Sequence, residues 1–363
     1  MNLKRSLIIL MIAGSLSFVS CLPDKQEMTR VRTAIDTVGF AHLDWQMDSI
    51  MARISGPGMQ DTSITSFYQE VNAKVIISPH DDYAYVGSLY PATLKNIRAK
   101  TVIIFGVAHK ARLLNLEDQI IFDSYDYWKG PYGNVKVSDV REEICRQLPS
   151  HLYQVNDSMQ QIEHSIEALI PFLQYYNRHI EIVPILVPSM SYDRMMEIAR
   201  PLSMAIKKAT IDQGMNWGND IAFLISTDAV HYGDEDWGGK NFALYGTDSM
   251  GYARAIAHEN RIMNAISGAL DPRKVKAFCN FTVEEDDYKE YKWTWCGRYS
   301  VPMGLLTAYE LNQALQEDPL TGSIIGYSNS IDHHSLMVND LKMGKTAPAS
   351  VHHWVGYAAI GYK

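Results

Sequence analysis

The sequence predicts an α/β fold, a three-layer α/β/α sandwich built on a mostly parallel central sheet, and two observations predict it. Four short β-branched runs are apolar throughout rather than alternating, which is how strands buried on both faces read. Between and after them lie segments with helical period and length, and strand–helix alternation of this kind builds a parallel sheet covered on both sides.

In chain order, Ala73 to Ser78 (AKVIIS) runs into Pro79-His80-Asp81-Asp82, and Thr101 to Val107 (TVIIFGV) runs into Ala108-His109. Glu181 to Val187 (EIVPILV) ends at Pro188-Ser189, and Asp220 to Ser226 (DIAFLIS) runs into Thr227-Asp228-Ala229-Val230-His231. Helices are expected over Leu89 to Ala99, Ser138 to Leu148, His164 to Tyr176, Tyr192 to Ala209, Thr247 to Leu270 and Pro302 to Gln316. Ligands of such sheets bind beyond the carboxyl ends of the strands, and three of the four runs deliver His or Asp there. No repeat, low-complexity tract or strong linker divides the chain, so residues 38–363 are expected to form one domain.

The 363 residues are 47% apolar and 20% charged, the mix of a globular protein, which excludes disordered, collagen-like and coiled-coil chains. A formal net charge of −8 and the lack of a Lys/Arg run remove the electrostatic footprint of nucleic-acid binding. Four cysteines, at 21, 145, 279 and 296, are too few for a disulfide scaffold.

Residues 1–20 read as an export signal: Lys4 and Arg5 precede a mostly apolar stretch from Leu7 to Val19, too short and interrupted to span a bilayer. Phe18-Val19-Ser20-Cys21 is similar to a bacterial lipobox, in which the Cys is lipidated and becomes the new N-terminus; plain cleavage nearby is the alternative. The expected product is an exported lipoprotein held to the membrane by acyl chains alone, on the periplasmic or cell-surface side, with residues 21–37 as a tether.

His80 and His109, each just past a strand, suit a metal better than packing, because imidazole is the commonest transition-metal ligand and strand ends hold it rigidly. Cys296 precedes a helix and sits two residues from Arg298, an environment expected to lower its pKa and make it a nucleophile or thiolate ligand; a buried inert thiol is the alternative. Cys145 and Cys279 read as packing. Asp228 and His231, three apart on a strand-to-loop turn, suit proton transfer near neutral pH, or else a turn Asp and a surface His. In Glu163-His164-Ser165-Ile166-Glu167, expected to open a helix, Glu163 either complements the helix dipole or, like His164, points toward the site. Asp81 next to His80, and an aromatic wall from Tyr83, Tyr85, Trp128 and Trp295, are further pocket candidates. Asp332-His333-His334 and His352-His353 carry little weight as metal sites, since adjacent strand residues face opposite ways. Asp234-Glu235-Asp236 and Glu284 to Asp287 read as solvated loops. No Gly-rich phosphate loop, HExxH or Gly-x-Ser-x-Gly elbow is present.

Taken in order, the segments His80 to Gly87, Gly106 to His109, Glu163 to Glu167, Ser226 to Gly233 and Cys296-Gly297-Arg298, followed by Val355 to Ala359, resemble the Memo-like family, also called AmmeMemoRadiSam system protein B. The resemblance runs from about Gly39 to the C-terminus. It implies a fold related to the class III extradiol dioxygenases and one metal ion, iron or copper, held by His80, His109 and Cys296. Asp228 and His231 would be the acid/base pair of an oxidase- or dioxygenase-type reaction. The chain departs from the pattern at Asp81-Asp82, where the family has Ala-Gly, and at Lys110, where it has a second His. Its export signal sets it apart from most members, so the cytosolic radical enzyme of the family's system name is not carried over as a partner.

The leading expectation is therefore a metal-dependent redox enzyme acting on a small molecule or peptide. A zinc hydrolase, a non-catalytic metal- or peptide-binding surface lipoprotein, and a Cys296 nucleophile with His231 as base are the alternatives.

Overall fold

A computed structural model describes residues 29–56, 73–235, 240–332 and 335–363. The signal, Cys21, His333 and His334 lie outside them. Among the described residues no helix is long and apolar enough to cross a membrane.

The four apolar runs form adjacent parallel strands in the order Glu181–Val187, Thr101–Val107, Ile221–Ser226, Val75–Ser78. Register aligns their carboxyl ends: Ser78 lies opposite Ser226, and Val107 opposite Val187. Side chains alternate between two apolar layers. Val75, Ile77, Ile103, Phe105, Phe223 and Ile225 meet the helices Tyr192–Ala209, Ser249–Ile266, Pro272–Thr282 and Ser300–Leu315. Ile76, Val102, Ile104, Ala222 and Leu224 meet Asp44–Ile54, Leu89–Leu94 and Ile170–Tyr176 on the other face. The fold is thus the expected sandwich. Close approach of Ser300–Leu315 needs Gly304, where an added Cβ would press on Ile225 at 2.6 Å.

The sheet also has antiparallel margins that the apolar runs do not reveal. His353–Tyr362 pairs antiparallel with Val75–Ser78 and with Thr321–Asn329. At the opposite margin Gly133–Val137 joins Glu181–Val187 and turns back into Tyr127–Gly130. The folded unit also takes in part of the segment read as tether: Val31–Arg32 pairs with Tyr127 and Trp128. Buried Arg32 there meets Glu167 at 2.7 Å and stacks on Trp128.

Local chemistry sets the helix ends. Tyr192–Ala209 matches expectation, capped by Ser191, whose Oγ accepts the Arg194 N–H, with Asp193 in its first turn and Lys207 and Lys208 in its last. Leu89–Leu94 stops early because the Asn96 amide takes the Ala92 carbonyl. Ser138 to Leu148 is trimmed to Val140–Gln147. Ser249–Ile266 is trimmed by the Asp248 cap and by the turn at Gly268, with φ of +71°. Ser300–Leu315 starts two residues early, since Pro302 in the first turn loses no helical hydrogen bond. His164 to Tyr176 is not one helix: a 3₁₀ turn, Glu167–Leu169, precedes Ile170–Tyr176.

Candidate metal centre

Three strand ends and one loop meet at the carboxyl edge of the sheet. His80 and Asp228 each lie two residues past neighbouring parallel strands, tied together where the Thr227 N–H reaches the Ser78 carbonyl. His109 follows the next strand by the same interval. Cys296, distant in sequence, arrives through a single antiparallel bridge between Val230 and Trp295. The Asp228 N–H then points at its sulfur, 3.0 Å away, and the Gly297 N–H donates to Thr227 Oγ1 at 2.9 Å. A side chain at Gly297 would overlap Thr227, so only glycine lets this segment approach.

His80 is the hub. Its Nε2 lies 3.5 Å from Cys296 Sγ and 3.4 Å from Asp228 Oδ2, and ligand atoms of these three residues all fall within 4.8 Å of one another. The same limit encloses a second group, His80, His109 and His164. The His109 and His164 rings stack with centroids 4.8 Å apart, and His80 meets His109 edge-on at 5.3 Å. His80, His109, His164, Asp228 and His231 line a cavity of about 410 Å³ together with Asp36, Phe40, Asp81 and Asp82.

Hydrogen bonds decide which ring nitrogen is available. Ser226 Oγ donates its one hydrogen to the Ser165 carbonyl at 2.6 Å and so accepts from His80 Nδ1 at 2.7 Å, leaving the lone pair on Nε2. Glu163 Oε1 lies 2.9 Å from His109 Nδ1. Burial alone would raise the Glu163 carboxyl, but its neighbour His109 and the backbone N–H of Ser165 hold it down to about 2. Ionised, it accepts the Nδ1–H and leaves the His109 lone pair on Nε2 as well. A carboxylate or hydroxyl behind each imidazole is the arrangement that orients metal-ligating histidines.

Charge points the same way. Burial, then the Asp81 carboxylate, pushes Asp228 well above the usual carboxyl range. Burial, then Asp228, does the same to the Cys296 thiol. Asp82 is raised to about 7 by burial and by Asp81. Burial first, then the other imidazoles, pushes His80 well below its usual value. Each upward shift marks a buried carboxyl or thiol that keeps its proton unless a cation stands beside it, and the imidazoles around them are neutral. Lys110, the one lysine or arginine among the described residues lining the cavity, donates its ammonium to the Ile162 carbonyl. A transition-metal cation fits this donor set by charge, by softness and by the exposed lone pairs.

Several expectations need correction. Cys296 does not have a lowered pKa: the Arg298 guanidinium turns away onto the Tyr291 ring, 3.4 Å from its centroid, so burial dominates. Glu163 does not open a helix but ends Asp157–Ile162, and its carboxylate takes the backbone N–H groups of His109, His164 and Ser165. Tyr83 faces the core, its hydroxyl on the Ala168 carbonyl and its ring against Phe172. Tyr85, Trp128 and Trp295 are also buried, and none of the four lines the cavity. Asp81 does line it, its carboxylate accepting from the Tyr357 hydroxyl at 2.6 Å. Burial raises the thiols of Cys145 and Cys279 to about 11 and about 12, in keeping with packing. Asp234, Glu235 and His352 bring ligand atoms together near the surface, a grouping the sequence reading discounted.

Two supporting residues went unread. Ser226 carried no signal, as a strand-terminal serine. Glu259 did carry one, because it falls on the buried stripe Ala255, Glu259, Ile262, Ile266 of its helix. Fully buried, it accepts the indole N–H groups of Trp293 and Trp295 at 2.6 and 2.8 Å and the Val230 N–H at 3.2 Å. It thereby clamps the Cys296 loop to the segment that carries Asp228 and His231.

A family profile described as Memo-like protein matches residues 41–340. A MEMO1 family protein of Pyrococcus furiosus is 25% identical over 293 residues, covering 74% of this chain and 90% of its own length. That of Pyrococcus abyssi is 25% identical over 276 residues, 70% and 85% of the two chains. One from Aquifex aeolicus is 30% identical over 174 residues, 45% and 56%. The chain belongs to the Memo-like protein family.

Proposed function

We propose that this cavity is the active site of a metal-dependent redox enzyme of oxidase or dioxygenase type, with a mononuclear centre held by His80, His109 and Cys296. The observation that carries the reading is that His80 belongs to two groups of close ligand atoms at one sheet edge, one with Cys296 and Asp228 and one with His109 and His164; His109 and Cys296 do not fall in the same group, and His80 would link them. A bound iron or copper ion would supply electron-transfer chemistry at positions left open by three protein ligands. Asp228 stands beside His80 and Cys296 and would add negative charge to the ligand set once a cation holds it ionised. His231 lines the same cavity, and burial pushes it down to about 3, so it is a neutral proton acceptor at pH 7. Phe40 and the mouth residues Asp36 and Lys110 would position a small molecule or peptide end.

The proposal includes export and anchoring through lipidated Cys21, supported by the charged, apolar and small-residue order of residues 1–21. Cys21→Ala should then move the protein out of the membrane fraction.

The central test is elemental analysis of anaerobically purified protein. About one equivalent of iron or copper per chain is expected, lost without unfolding in His80→Ala, His109→Ala and Cys296→Ala. Stoichiometric zinc instead would favour the metallohydrolase reading. Full metal retention in His80→Ala would overturn the site.

A further inference from the structure

Residues 33–43 carry neither helix nor strand, yet Ile35, Asp36 and Phe40 of this segment line the metal-centre cavity. A segment with no hydrogen-bond ladder of its own has to find its partners elsewhere in the fold. Here the holding begins at Arg32, the residue that leads into it. Arg32 is 1% exposed and spreads its guanidinium over three acceptors: Nε donates to the Gln160 carbonyl at 2.8 Å, Nη1 to the Glu167 carboxylate at 2.7 Å, and Nη2 to the Glu163 carbonyl. Trp128 packs against the guanidinium, whose Cζ lies 4.1 Å from the ring centre.

Two of those acceptors lead to the cavity. Glu167 also takes the backbone N–H groups of Ile35 and Asp36, both at 2.9 Å, so one carboxylate ties Arg32 to the residues of the wall. The Asp36 carboxylate in turn accepts the Val38 and Gly39 N–H groups at 2.7 and 2.8 Å, and the Val38 carbonyl accepts the Gly344 N–H at 2.9 Å. Glu163 leads inward: its carbonyl accepts from Arg32 and its carboxylate from His109 Nδ1. It lies between the helix Asp157–Ile162 and the turn Glu167–Leu169, where no regular ladder fixes the backbone. A planar guanidinium holds three acceptors at set angles, which an ammonium does not do.

We propose that Arg32 is a positioning residue of the metal centre. It fixes the Glu163 backbone so that the carboxylate meets His109 Nδ1, and through Glu167 it holds the wall of Ile35, Asp36 and Phe40 in place. The role of His109 as a ligand rests on the reading above; the placing of Glu163 and of the wall does not.

Metal-free protein tests it first, in Arg32→Lys, with Ile97→Ala as a comparison that opens a cavity in the same apolar layer. NMR of protein labelled with ¹⁵N-histidine, the signal assigned by its loss in His109→Gln, should show His109 protonated on Nδ1 in the wild type and in Ile97→Ala, and a mixture of tautomers in Arg32→Lys. Hydrogen–deuterium exchange at the Ile35 and Asp36 N–H groups should be about tenfold or more faster in Arg32→Lys than in either. Glu167→Gln, which keeps one acceptor oxygen for the guanidinium, should speed the same exchange and serves where Arg32→Lys does not fold. A His109 tautomer unchanged in Arg32→Lys, or changed as much in Ile97→Ala, would overturn the positioning. Exchange unchanged in Arg32→Lys and Glu167→Gln would overturn the tie to the wall. Cobalt(II), titrated against a chelator, separates this proposal from the reading it rests on: its affinity should be about tenfold weaker in Arg32→Lys. Failure of the wild type to bind cobalt at all would overturn the metal centre and leave the two metal-free readouts to decide on Arg32.

Discussion

Glu163→Gln is the sharpest single perturbation of the proposed centre. The Glu163 carboxylate accepts the His109 Nδ1–H at 2.9 Å and the backbone N–H groups of His109, His164 and Ser165 at 2.7, 2.9 and 3.0 Å. An amide has one acceptor oxygen, and its NH₂ would turn a donor toward N–H groups that now meet a carboxylate oxygen. Holding this buried carboxyl from 4.5 down to about 2 is equivalent to about 3 kcal/mol. A depressed folded pKa stabilises at pH values above the unfolded one, so this contribution is complete above about 4.5 and disappears as pH falls toward 2. Urea unfolding at pH 7 should therefore show a loss of about 2–3 kcal/mol in the variant, and its stability should lack the acid limb of the wild type. The ring of His109 would also lose the partner that fixes its tautomer, so chelator-competition titration should show metal affinity about 10–100-fold weaker. A folded variant whose metal affinity stays within about twofold of wild type would refute the assignment of His109 as a ligand oriented by Glu163.

Three further outcomes follow from the same geometry. Burial raises the thiols of Cys145 and Cys279 to about 11 and about 12 and that of Cys296 well above its usual value, so iodoacetamide should label all three slowly in folded protein even after chelation and rapidly once the chain is unfolded; mass spectrometry of the labelled peptides reads this. Gly297→Ala should cost about 1–3 kcal/mol of unfolding free energy and lower metal content, because the new methyl meets Thr227 and displaces Cys296. Glu259, raised to about 7 mainly by burial, keeps its proton in the folded state while the unfolded chain ionises near 4.5. Stability should therefore fall by about 3 kcal/mol as pH rises from about 4.5 to 7. Glu259→Gln should flatten that decline in a pH series of melting curves; an unchanged slope would count against the buried carboxyl.

Apolar continuity made the four parallel strands legible, because a strand covered on both faces has no polar register to keep. Capping made Tyr192–Ala209 legible to its ends, since Ser191 and Asp193 act within one turn of their own helix. His80, His109 and Asp228 stood out for a related reason: each follows a recognisable strand by two residues, and parallel register carries all three to one edge. The family motifs extended that reading to Cys296, for which no strand provides a position.

Tertiary structure alone decided the orientations. Arg298 looked like a neighbour of the Cys296 sulfur, yet its guanidinium prefers the Tyr291 ring and a different cavity. Glu163 looked like the start of a helix, yet four N–H donors from separate segments converge on its carboxylate. Tyr83 shares a motif with His80 and turns into the core. Composition and periodicity determine which residues are buried and where the backbone bends, because those depend on neighbours along the chain. A side chain's direction, its protonation and its partners are decided by groups far away in sequence, through desolvation and hydrogen bonds that exist only once the layers have closed.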